Sequence, residues 1–482
     1  MQTSLALLKS EYYHMTADSR LVKPGSVFVA YKGEAADGRT FISQAIENGA
    51  AAVIWEQSDF AWRDEWQVPN QAIVDLKQQV GQMASEFYGQ PSQHLWMIGV
   101  TGTNGKTTCT HWLAQAFSAL NKKAAVVGTL GNGILSAGLS ETRNTTPDSI
   151  LLQQMLADYL SQKASVVAME VSSHGLDQGR VNGVSFDIAV FTNLTRDHLD
   201  YHGDMQAYAA AKKKLFAWDG LKVAVLNRDD AFGIELAQEL KVQGKRVLTY
   251  GLAKTVVDDT DISVSSLELT EQGMRLEVQT PLGDAVISAS VVGRFNAYNL
   301  LAVLTTLLAS DVSLADAVKA LSILKPVAGR MQQYGGGALP LVVIDYAHTP
   351  DALEQVLKSL RAQTKGQLVC VFGCGGDRDS GKRPLMGKVA SELADKVIVT
   401  SDNPRSELPA GIIKAVMNGV KQNAISIENR SDAIDHAIKN AQAGDVILLA
   451  GKGHENYQEI AGVKYPFSDI EKAQQFLQER AA

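Results

Sequence analysis

The segment from Gly102 to Thr107 has the sequence Gly-Thr-Asn-Gly-Lys-Thr, which is typical of a phosphate-binding loop. An apolar run at 95–98 precedes it, and a helix-like run follows Lys106. Backbone N–H groups at a helix start face an anion, glycines allow its close approach, a lysine reaches the outer phosphates, and a threonine hydroxyl can ligate magnesium. The first glycine stands at 102, although the common pattern would place it at Val100. The predicted nucleotide-binding residues of this segment are Gly102, Thr103, Asn104, Gly105, Lys106, Thr107 and Thr108.

Polar residues that could do chemistry also follow several other apolar runs. They include carboxylates, histidines, arginines and amides, and each group comes directly after a run that could form a buried strand. Ligands of open parallel sheets gather at the carboxyl ends of the strands. These segments therefore predict a site region, and they are 170–174, 192–198, 227–230, 345–348, 373–378, 402–405 and 451–455.

The strands and helices that must position these residues alternate along the chain. From about 93 to 325, apolar strand-like runs alternate with helical runs, which favours a mostly parallel sheet with helices on both faces. Residues 254–290 instead have a period of two, which predicts an antiparallel insert. We therefore predict an α/β chain of three domains: a smaller α/β domain at 1–88, a central P-loop-type domain at 89–326, and a Rossmann-like domain at 327–482.

The composition limits the classes of function. The 482 residues carry a formal net charge of −7, which argues against general nucleic-acid binding. There is no apolar run long enough to span a membrane and no export signal at the amino terminus, so we expect a cytoplasmic protein that does not bind membranes. The three cysteines, Cys109, Cys370 and Cys374, imply no disulfide framework, and we expect them to be small buried residues rather than zinc ligands.

Several short motifs occur in one order along the chain. Besides 102–107 they are 144–147 (Asn-Thr-Thr-Pro), 170–176 (Glu-Val-Ser-Ser-His-Gly-Leu), 345–350 (Asp-Tyr-Ala-His-Thr-Pro) and 402–405 (Asp-Asn-Pro-Arg). Together they resemble the motifs of the ATP-dependent Mur ligases, which extend the peptide of bacterial cell-wall precursors. The form of the phosphate loop is shared with folylpolyglutamate synthases. Within the family, the motifs are most similar to those of the form that adds meso-diaminopimelate.

The resemblance implies an ATP-dependent, ADP-forming ligation in peptidoglycan precursor synthesis. The carboxylate of UDP-N-acetylmuramoyl-L-alanyl-D-glutamate would be joined to meso-diaminopimelate through an acyl phosphate. The implied cofactors are ATP and Mg²⁺, the partners are small-molecule substrates, and the chain would act as a monomer. The three domains would bind the UDP end, ATP and the amino acid, respectively. The implied catalytic residues are Lys106, Glu170, His198 and Lys212, and the implied metal ligands are Thr107, Glu170, His198 and Lys212.

Two of these assignments have an ordinary structural alternative. Lys212 begins a run of three lysines, and such runs usually form a solvated helix face. Its place after Tyr208 is similar to that of the family's carbamylated lysine, in which added CO₂ converts a cation into a carboxylate-like metal ligand. A lone histidine such as His198 is more often structural, although its place after a strand favours the ligand interpretation.

The remaining contacts are also assigned by resemblance. Those to the nucleotide are Asn296 and Asn299 near the base, with Arg330 and Asp345. Ser19 would contact the uridine end, and the residues for the muramoyl-dipeptide would be Asn144, Thr145, Thr146, Ser172, Gln178 and Arg180. The residues for the incoming amino acid would be Arg378, Asp402, Asn403, Pro404, Arg405, Gly451 and Glu455.

The charges of Arg405 and Glu455 bear on the choice of amino acid. Diaminopimelate carries a carboxylate and an amine at each end, and the two side chains would complement one such end. A lysine side chain would offer a bare ammonium, which Arg405 would repel. A charge-assisted hydrogen bond contributes on the order of 1.5–3 kcal/mol, so attraction and repulsion together discriminate strongly. Without the resemblance, 402–405 would be interpreted as a turn after a strand.

Four alternatives remain open from the sequence. The first is the same ligase acting with L-lysine or another diamino acid. A folylpolyglutamate synthase-like ligase shares the loop and the chemistry, but the amino-terminal domain and 402–405 argue against it. A GTPase is suggested by 227–230 (Asn-Arg-Asp-Asp), which approximates a guanine-binding motif with arginine in place of lysine. A non-catalytic nucleotide sensor would not need Glu170, His198 and Lys212 together.

Overall fold

A computed structural model describes residues 12–33, 36–142, 144–253, 261–270, 273–361, 364–421 and 424–481. These residues form two compact units. The first comprises the described residues up to Gly99, together with Lys122–Asp187 and Ala217–Lys222. The second comprises Val100–Asn121, Ile188–Phe216 and the described residues from Val223 onward.

The described part of the chain contains the following strands and α-helices. The strands are β1 His14–Thr16, β2 Ser26–Ala30, β3 Ala50–Glu56, β4 Asn70–Ile73, β5 Trp96–Thr101, β6 Ala124–Gly128, β7 Gly131–Ile134, β8 Val166–Glu170, β9 Ile188–Phe191, β10 Val223–Asn227, β11 Val247–Tyr250, β12 Asp261–Thr270, β13 Gly273–Thr280, β14 Gly283–Ala289, β15 Gln332–Gly335, β16 Leu341–Asp345, β17 Leu368–Phe372, β18 Lys396–Val399, β19 Ala424–Ser426, β20 Val446–Ala450, β21 Tyr457–Ile460 and β22 Val463–Pro466. The helices are α1 Ile42–Glu47, α2 Leu76–Phe87, α3 Lys106–Ala119, α4 Ser149–Ser161, α5 Ser173–Asp177, α6 Leu199–His202, α7 Met205–Lys213, α8 Ala231–Val242, α9 Arg294–Ala309, α10 Leu314–Ser322, α11 Pro350–Arg361, α12 Lys382–Leu393, α13 Pro409–Met417, α14 Arg430–Asn440 and α15 Asp469–Ala481.

The first unit contains a parallel four-stranded sheet in the order β1-β2-β3-β4. Every residue of β2 is buried, as expected for a central parallel strand covered on both faces. One face packs on α2 through Val27, Val29 and Leu76, and the other holds Phe28 and Trp55 among further aromatic residues. In the same unit, β6 pairs in parallel with β8 and antiparallel with β7.

The second unit contains two sheet regions. In one, β9, β10, β11 and β12 run parallel in that order, and β12, β13 and β14 continue as an antiparallel meander. Helix α9 is apolar on nearly all sides, and it packs between α3 and the strands β10 and β11. The predicted antiparallel insert is confirmed from Asp261 to Ala289, whereas its first residues, 254–260, and residues 271–272 lie outside the described part of the chain.

The other region is a six-stranded sheet in the order β15-β16-β20-β17-β18-β19. All neighbours are parallel except β15, which pairs antiparallel with β16 at the edge. One face packs on α11, α12 and α13, and the other on α14 and α15, so hydrophobic cores lie on both sides. The prediction of an α/β chain with mostly parallel sheets is confirmed. No described helix is long and apolar enough to cross a membrane.

Candidate active site

The phosphate loop joins β5 to α3 and depends on two glycines. Gly102 and Gly105 have φ values of +149° and +88°, which side chains rarely adopt. A Cβ atom at Gly102 would lie 1.9 Å from Thr192 Oγ1, and one at Gly105 would lie 2.5 Å from Asn299 Oδ1. Thr192, the residue after β9, therefore lies so close to the loop that position 102 must be glycine.

Hydrogen bonds fix the conformation of this loop. The Lys106 ammonium donates to the carbonyl oxygens of Gly102 and Thr103, each at 2.9 Å. The backbone N–H of Asn104 donates to Asn193 Oδ1 at 2.9 Å, and the N–H of Thr103 donates to the Asn193 carbonyl at 2.8 Å. The loop is thus fixed to the end of β9, with a lysine charge at the first turn of α3.

Lys212 lies on α7 and is buried, with 1% of its surface exposed. Its Nζ donates to the Gly102 carbonyl at 2.9 Å and lies 4.3 Å from the centre of the Tyr208 ring. Burial and the nearby charge of Lys106 lower its pKa well below the ordinary lysine value. A solvated helix face is therefore the wrong interpretation for Lys212, although it fits Lys213, which is partly exposed and pairs with Glu239.

His198 follows β9 in a left-handed conformation, with φ of 54°. Its Nε2 lies 3.3 Å from Asp197 Oδ2, and His348 Nε2 lies 3.7 Å from the same oxygen. Burial would raise the pKa of Asp197, but the hydrogen bond and charge of His348, with the charges of His198 and Lys382, bring it well below the ordinary value. An ionised Asp197 thus stands between the two imidazoles.

A cleft of about 390 Å³ in the second unit adjoins the phosphate loop. Of the predicted nucleotide residues, Asn299, Arg330 and Asp345 line it, together with Asn104, Gly105 and Thr108. Asn296 lines a second cavity of about 360 Å³ instead, and its amide donates to the Val292 carbonyl at 2.7 Å. The structure therefore brings three of the four residues predicted outside the loop to the larger cleft.

Arg330 connects the six-stranded region to the phosphate loop. Its Nη2 donates to Thr107 Oγ1 at 3.1 Å, and its guanidinium lies 4.7 Å from the centre of the Tyr346 ring. Asp345 Oδ2 accepts a hydrogen bond from the Met331 N–H at 2.9 Å, and burial raises the pKa of this carboxyl despite the charge of Arg330. The guanidinium is placed where it could donate to phosphate.

Two histidines, the buried His111 and the half-buried His454, lie near the charge of Arg330. Burial, followed by that charge, lowers the pKa of His111 to about 4, and the same causes lower the pKa of His454 to about 4. Among the described residues, neither His111 Nε2 nor His454 Nδ1 has a hydrogen-bond partner. Both rings are therefore neutral in the folded protein at neutral pH.

Acidification will destabilise the fold through His111. Its pKa is lowered from 6.5 to about 4 on folding, so the unfolded chain binds more protons between these values. The stabilisation is complete above pH 6.5 and is lost as the pH falls towards 4, by about 1 kcal/mol per pH unit. Thermal midpoints measured between about pH 7.5 and about pH 5 will fall less steeply for His111→Gln than for wild type. The exposed His436→Gln will keep the wild-type slope, and equal slopes for all three proteins would contradict the expectation.

The residues predicted for the muramoyl-dipeptide gather in the first unit. Thr146 Oγ1 donates to the Glu170 carbonyl at 2.9 Å and to Ser172 Oγ at 3.1 Å. Arg180 donates from Nη1 to the Thr146 carbonyl at 3.0 Å and from Nε to Gln178 Oε1 at 2.8 Å. Ser172 also caps α5, which fixes its position after β8.

The Glu170 carboxylate is buried in the same group. Thr129 donates to it twice, from its N–H at 2.8 Å and from Oγ1 at 3.1 Å, and Thr129 Oγ1 lies 3.1 Å from Thr145 Oγ1. A Cβ at Gly128 would come within 2.3 Å of Glu170 Oε1. The glycine at the end of β6 therefore makes room for this carboxylate.

Ser19 and Asn144 are the other two residues predicted for this substrate. Ser19 is buried, and its Oγ donates to Gln44 Oε1 at 2.7 Å. Asn144 is exposed at the start of its loop, where its carbonyl accepts from Thr142 Oγ1. The roles of Ser19 and Asn144 stay predictions.

The residues predicted for the amino acid gather at the carboxyl ends of β17, β18 and β20. Asn403 Nδ2 donates to Glu455 Oε2 at 2.8 Å, and Arg405 Nη1 donates to the Gly376 carbonyl at 2.9 Å. Arg405 has φ of 50°. Its N–H donates to the Glu459 carbonyl at 3.0 Å, and its carbonyl accepts from Ala461, so the β21–β22 hairpin holds this strained residue.

Close backbone contacts shape the same group, which we name the acceptor cluster: Arg378, Asp402, Asn403, Pro404, Arg405, Gly451, Lys452 and Glu455. A Cβ at Gly451, whose φ is +110°, would lie 2.5 Å from Asp402 Oδ2. A Cβ at Gly375 would lie 2.8 Å from Arg405 Nη1 and 3.8 Å from Arg378 Cγ, so both arginines flank this glycine. The carbonyl oxygen of Pro404 likewise leaves no room for a Cβ at Gly376.

Several residues of these groups were not singled out from the sequence. Asn193, Asp197 and His348 lie in segments recognised as polar strand ends, but nothing local indicates which of their neighbours they meet. Tyr208 was noted only as part of the lysine motif. Lys452 stands between two assigned residues and resembles an ordinary loop lysine. The signal that could have found them is their position directly after strands or within an assigned motif.

The donors near the loop suit magnesium better than a softer metal. Within the described ranges, no three His, Cys, Asp or Glu side chains form a metal-binding group. Mg²⁺ commonly takes one or two protein ligands and completes its shell with phosphate oxygens and water. The Thr107 hydroxyl at the start of α3 fits that role. The three cysteines are buried free thiols, and burial raises the pKa of Cys374 to about 12, so they are unsuited to zinc.

Three family descriptions match successive parts of the chain. Residues 11–88 match "Mur ligase family, catalytic domain", residues 100–307 match "Mur ligase middle domain", and residues 329–453 match "Mur ligase, glutamate ligase domain". Together these matches cover most of the 482 residues.

Individual proteins agree with this result. The chain is similar to the UDP-N-acetylmuramoyl-L-alanyl-D-glutamate–2,6-diaminopimelate ligase of Chromobacterium violaceum, with 55% identity over 96% of this chain and 93% of that protein. The protein of the same name from Nitrosomonas europaea is 50% identical over 97% and 93% of the two chains. A solved structure of a ligase with this name has a TM-score of 0.69 and 39% identity, and the match covers 98% of this chain and 96% of that one.

Proposed function

The chain belongs to the Mur ligase family, and from this premise we propose that it joins meso-diaminopimelate to UDP-N-acetylmuramoyl-L-alanyl-D-glutamate with conversion of ATP to ADP. The observation that carries this function is the near-full-length similarity to relatives named for this ligation. The reaction serves peptidoglycan precursor synthesis.

The chemistry has two steps. A carboxylate oxygen of the donor attacks the γ-phosphorus of ATP, ADP leaves, and an acyl phosphate forms. The amine of diaminopimelate then attacks the carbonyl carbon, phosphate leaves with the electrons of the C–O bond, and the nitrogen loses a proton. The first step brings anion against anion, so it requires fixed positive charge at the phosphates.

Lys106 and Arg330 are the residues that we expect to supply this charge. The Lys106 ammonium already lies within the loop, and Arg330 reaches Thr107 from the six-stranded region. Mg²⁺, bound through Thr107, would neutralise further phosphate charge. The roles of Glu170 and His198 as additional ligands stay predictions.

We infer that Lys212 carries a carbamate in the active enzyme. Carbamate forms from the neutral amine, and burial together with Lys106 lowers the pKa of Lys212 and so favours that form. The nitrogen of a carbamate keeps one hydrogen, so the hydrogen bond to the Gly102 carbonyl is compatible with the modification. The modification would replace a buried amine by an anion beside the phosphate loop.

The acceptor cluster fits one amino-acid end of diaminopimelate. Arg405 offers a guanidinium for the carboxylate, and Glu455 offers a carboxylate for the ammonium. Asn403 is held beside Glu455 and supplies neutral hydrogen bonds. We also infer the division into domains at 1–88, 89–326 and 327–482, and action as a cytoplasmic monomer on small molecules.

The test is ATP-dependent ligation with meso-diaminopimelate and L-lysine offered separately. We expect the wild-type chain to use diaminopimelate far better. Arg405→Ala will lower kcat/KM for diaminopimelate by about 10- to 100-fold, because a charge-assisted bond is lost, and will improve the use of lysine, because the repulsion of its ammonium is removed. Arg361→Ala, on α11 outside the cluster, should behave as wild type. Better use of lysine by the wild-type protein would contradict the proposed acceptor.

A further inference from the structure

Lys452 lies inside the acceptor cluster with no exposed side-chain surface. Its Nζ donates to Glu455 Oε2 at 2.8 Å and to Asn403 Oδ1 at 3.1 Å, and lies 5.6 Å from the centre of the Tyr457 ring. Burying an ammonium is unfavourable unless carboxylates and hydrogen bonds compensate for lost water. The buried ammonium of Lys452 therefore requires its carboxylate and amide partners, and its hydrogen bonds hold them in place.

The first consequence concerns the amide of Asn403. Its Oδ1 accepts from Lys452 and from the N–H of Glu459, the latter at 3.0 Å. Lysine has no acceptor, so the oxygen of the amide must face it. The Nδ2 group is then directed to Glu455 Oε2. Lys452 and the Glu459 N–H together thus fix which way the Asn403 amide is turned.

The second consequence concerns the Glu455 carboxylate. Lys452 and Asn403 both bind Oε2, and among the described residues no other hydrogen bond to this carboxylate is found. This arrangement leaves Oε1 for an ammonium of the substrate. The Glu455 side chain is 13% exposed, so it is largely enclosed by the protein but still reaches the surface.

The third consequence concerns charge. Asp402 is buried, and both it and Glu455 interact with Lys452, so the cluster contains two acids near one buried ammonium. Burial raises the pKa of Asp402, but the charges of Lys452 and then Arg430 bring it below the ordinary value. Arg430 is itself paired with Asp469 at 2.7 Å, so among the residues of the cluster Lys452 is the buried cation that offsets these acids.

We propose that Lys452 is a positioning residue that makes the cluster select an acceptor end carrying both a carboxylate and an ammonium. It holds Asn403 and Glu455 for the ammonium, and its charge lets the carboxylate approach Arg405 despite Asp402 and Glu455. The side chain of a lysine substrate ends in an ammonium without a carboxylate, so its approach does not require the charge of Lys452. This inference rests on the proposed function, in which the acceptor is a diamino diacid.

The experiment compares wild type, Lys452→Met and Lys464→Met. Lys464 is a matched control, because it is exposed and contacts the same Tyr457 ring at 4.0 Å. For Lys452→Met we expect the KM for meso-diaminopimelate to rise at least about tenfold, with the KM for ATP within about twofold of wild type. The ratio of kcat/KM for diaminopimelate to that for lysine should fall by at least about tenfold. Lys464→Met should match wild type in all three measurements.

Two further variants separate positioning from a merely structural role. Lys452→Arg keeps the charge, and it should retain a substrate ratio within about threefold of wild type. Lys452→Gln removes the charge with little change in length. Its ratio of kcat/KM for diaminopimelate to that for lysine should fall as it does in the methionine variant. If the methionine variant is unstable, the glutamine variant replaces it in the comparison. An unchanged diaminopimelate KM and substrate ratio in the uncharged variants, or equal losses in the arginine variant, would overturn the inference. A wild-type chain that ligates neither amino acid would instead contradict the proposed function itself.

Discussion

Lys106→Met will lower kcat for ligation by about three orders of magnitude, which is the size of effect seen when a preorganised charge is removed from a phosphoryl-transfer site. The ammonium of Lys106 is held by two loop carbonyls at 2.9 Å, so its charge is in place before the nucleotide arrives. The loss will fall mainly on the chemical step. Release of ADP and formation of the ligated product should be measured together.

The matched control for this variant is Lys122→Met, an exposed lysine just beyond α3. It should keep wild-type kcat. Lys106→Arg should recover only part of the activity, because a planar guanidinium is larger than an ammonium and does not reproduce its compact point charge. A Lys106→Met enzyme with kcat within about tenfold of wild type would show that the loop does not act on phosphate as argued.

Lys212→Met will reduce ligation at least about 100-fold and remove its dependence on bicarbonate. Wild-type activity should fall when CO₂ and bicarbonate are stripped from the assay and return when they are restored, because the neutral amine must capture CO₂. The methionine variant has no such amine. It should remain folded, since it replaces a desolvated lysine by an apolar chain of similar length.

Lys213 provides the comparison for this prediction. It is the next residue on α7, but it is partly exposed and paired with Glu239 at 2.5 Å. Lys213→Met should therefore keep both the wild-type rate and the bicarbonate response. Equal activity of Lys212→Met and wild type, with no effect of bicarbonate on either, would remove the case for a carbamate.

Much of the fold follows from local sequence signals. The strands β2, β9 and β17 each coincide with one apolar run of the sequence, because a fully buried parallel strand needs a continuous apolar segment. The strands β11 and β19 and the β21–β22 hairpin were not predicted. They are short, and β19 and the hairpin are largely exposed, so their sequences carry little hydrophobic pattern.

The candidate site was predictable where a motif lies within one stretch of chain, as in the phosphate loop. It was not predictable where function depends on which stretches meet. The burial of Lys212 within three lysines depends on how α7 packs against the loop, which no local pattern reveals. The approach of His348 to Asp197 joins residues far apart in sequence. The different cavities lined by Asn296 and Asn299 reflect the orientation of α9.

The hairpin that holds Arg405 has a consequence for how such enzymes diverge. It lies outside the six-stranded sheet, and it fixes the arginine through two backbone hydrogen bonds rather than through the core. Insertions or deletions in its turn, which carries these hydrogen bonds, would therefore reorient Arg405 without disturbing the sheet or the nucleotide cleft. With Arg405 in its proposed role, amino-acid preference can evolve separately from the nucleotide cleft, through changes in this exposed hairpin.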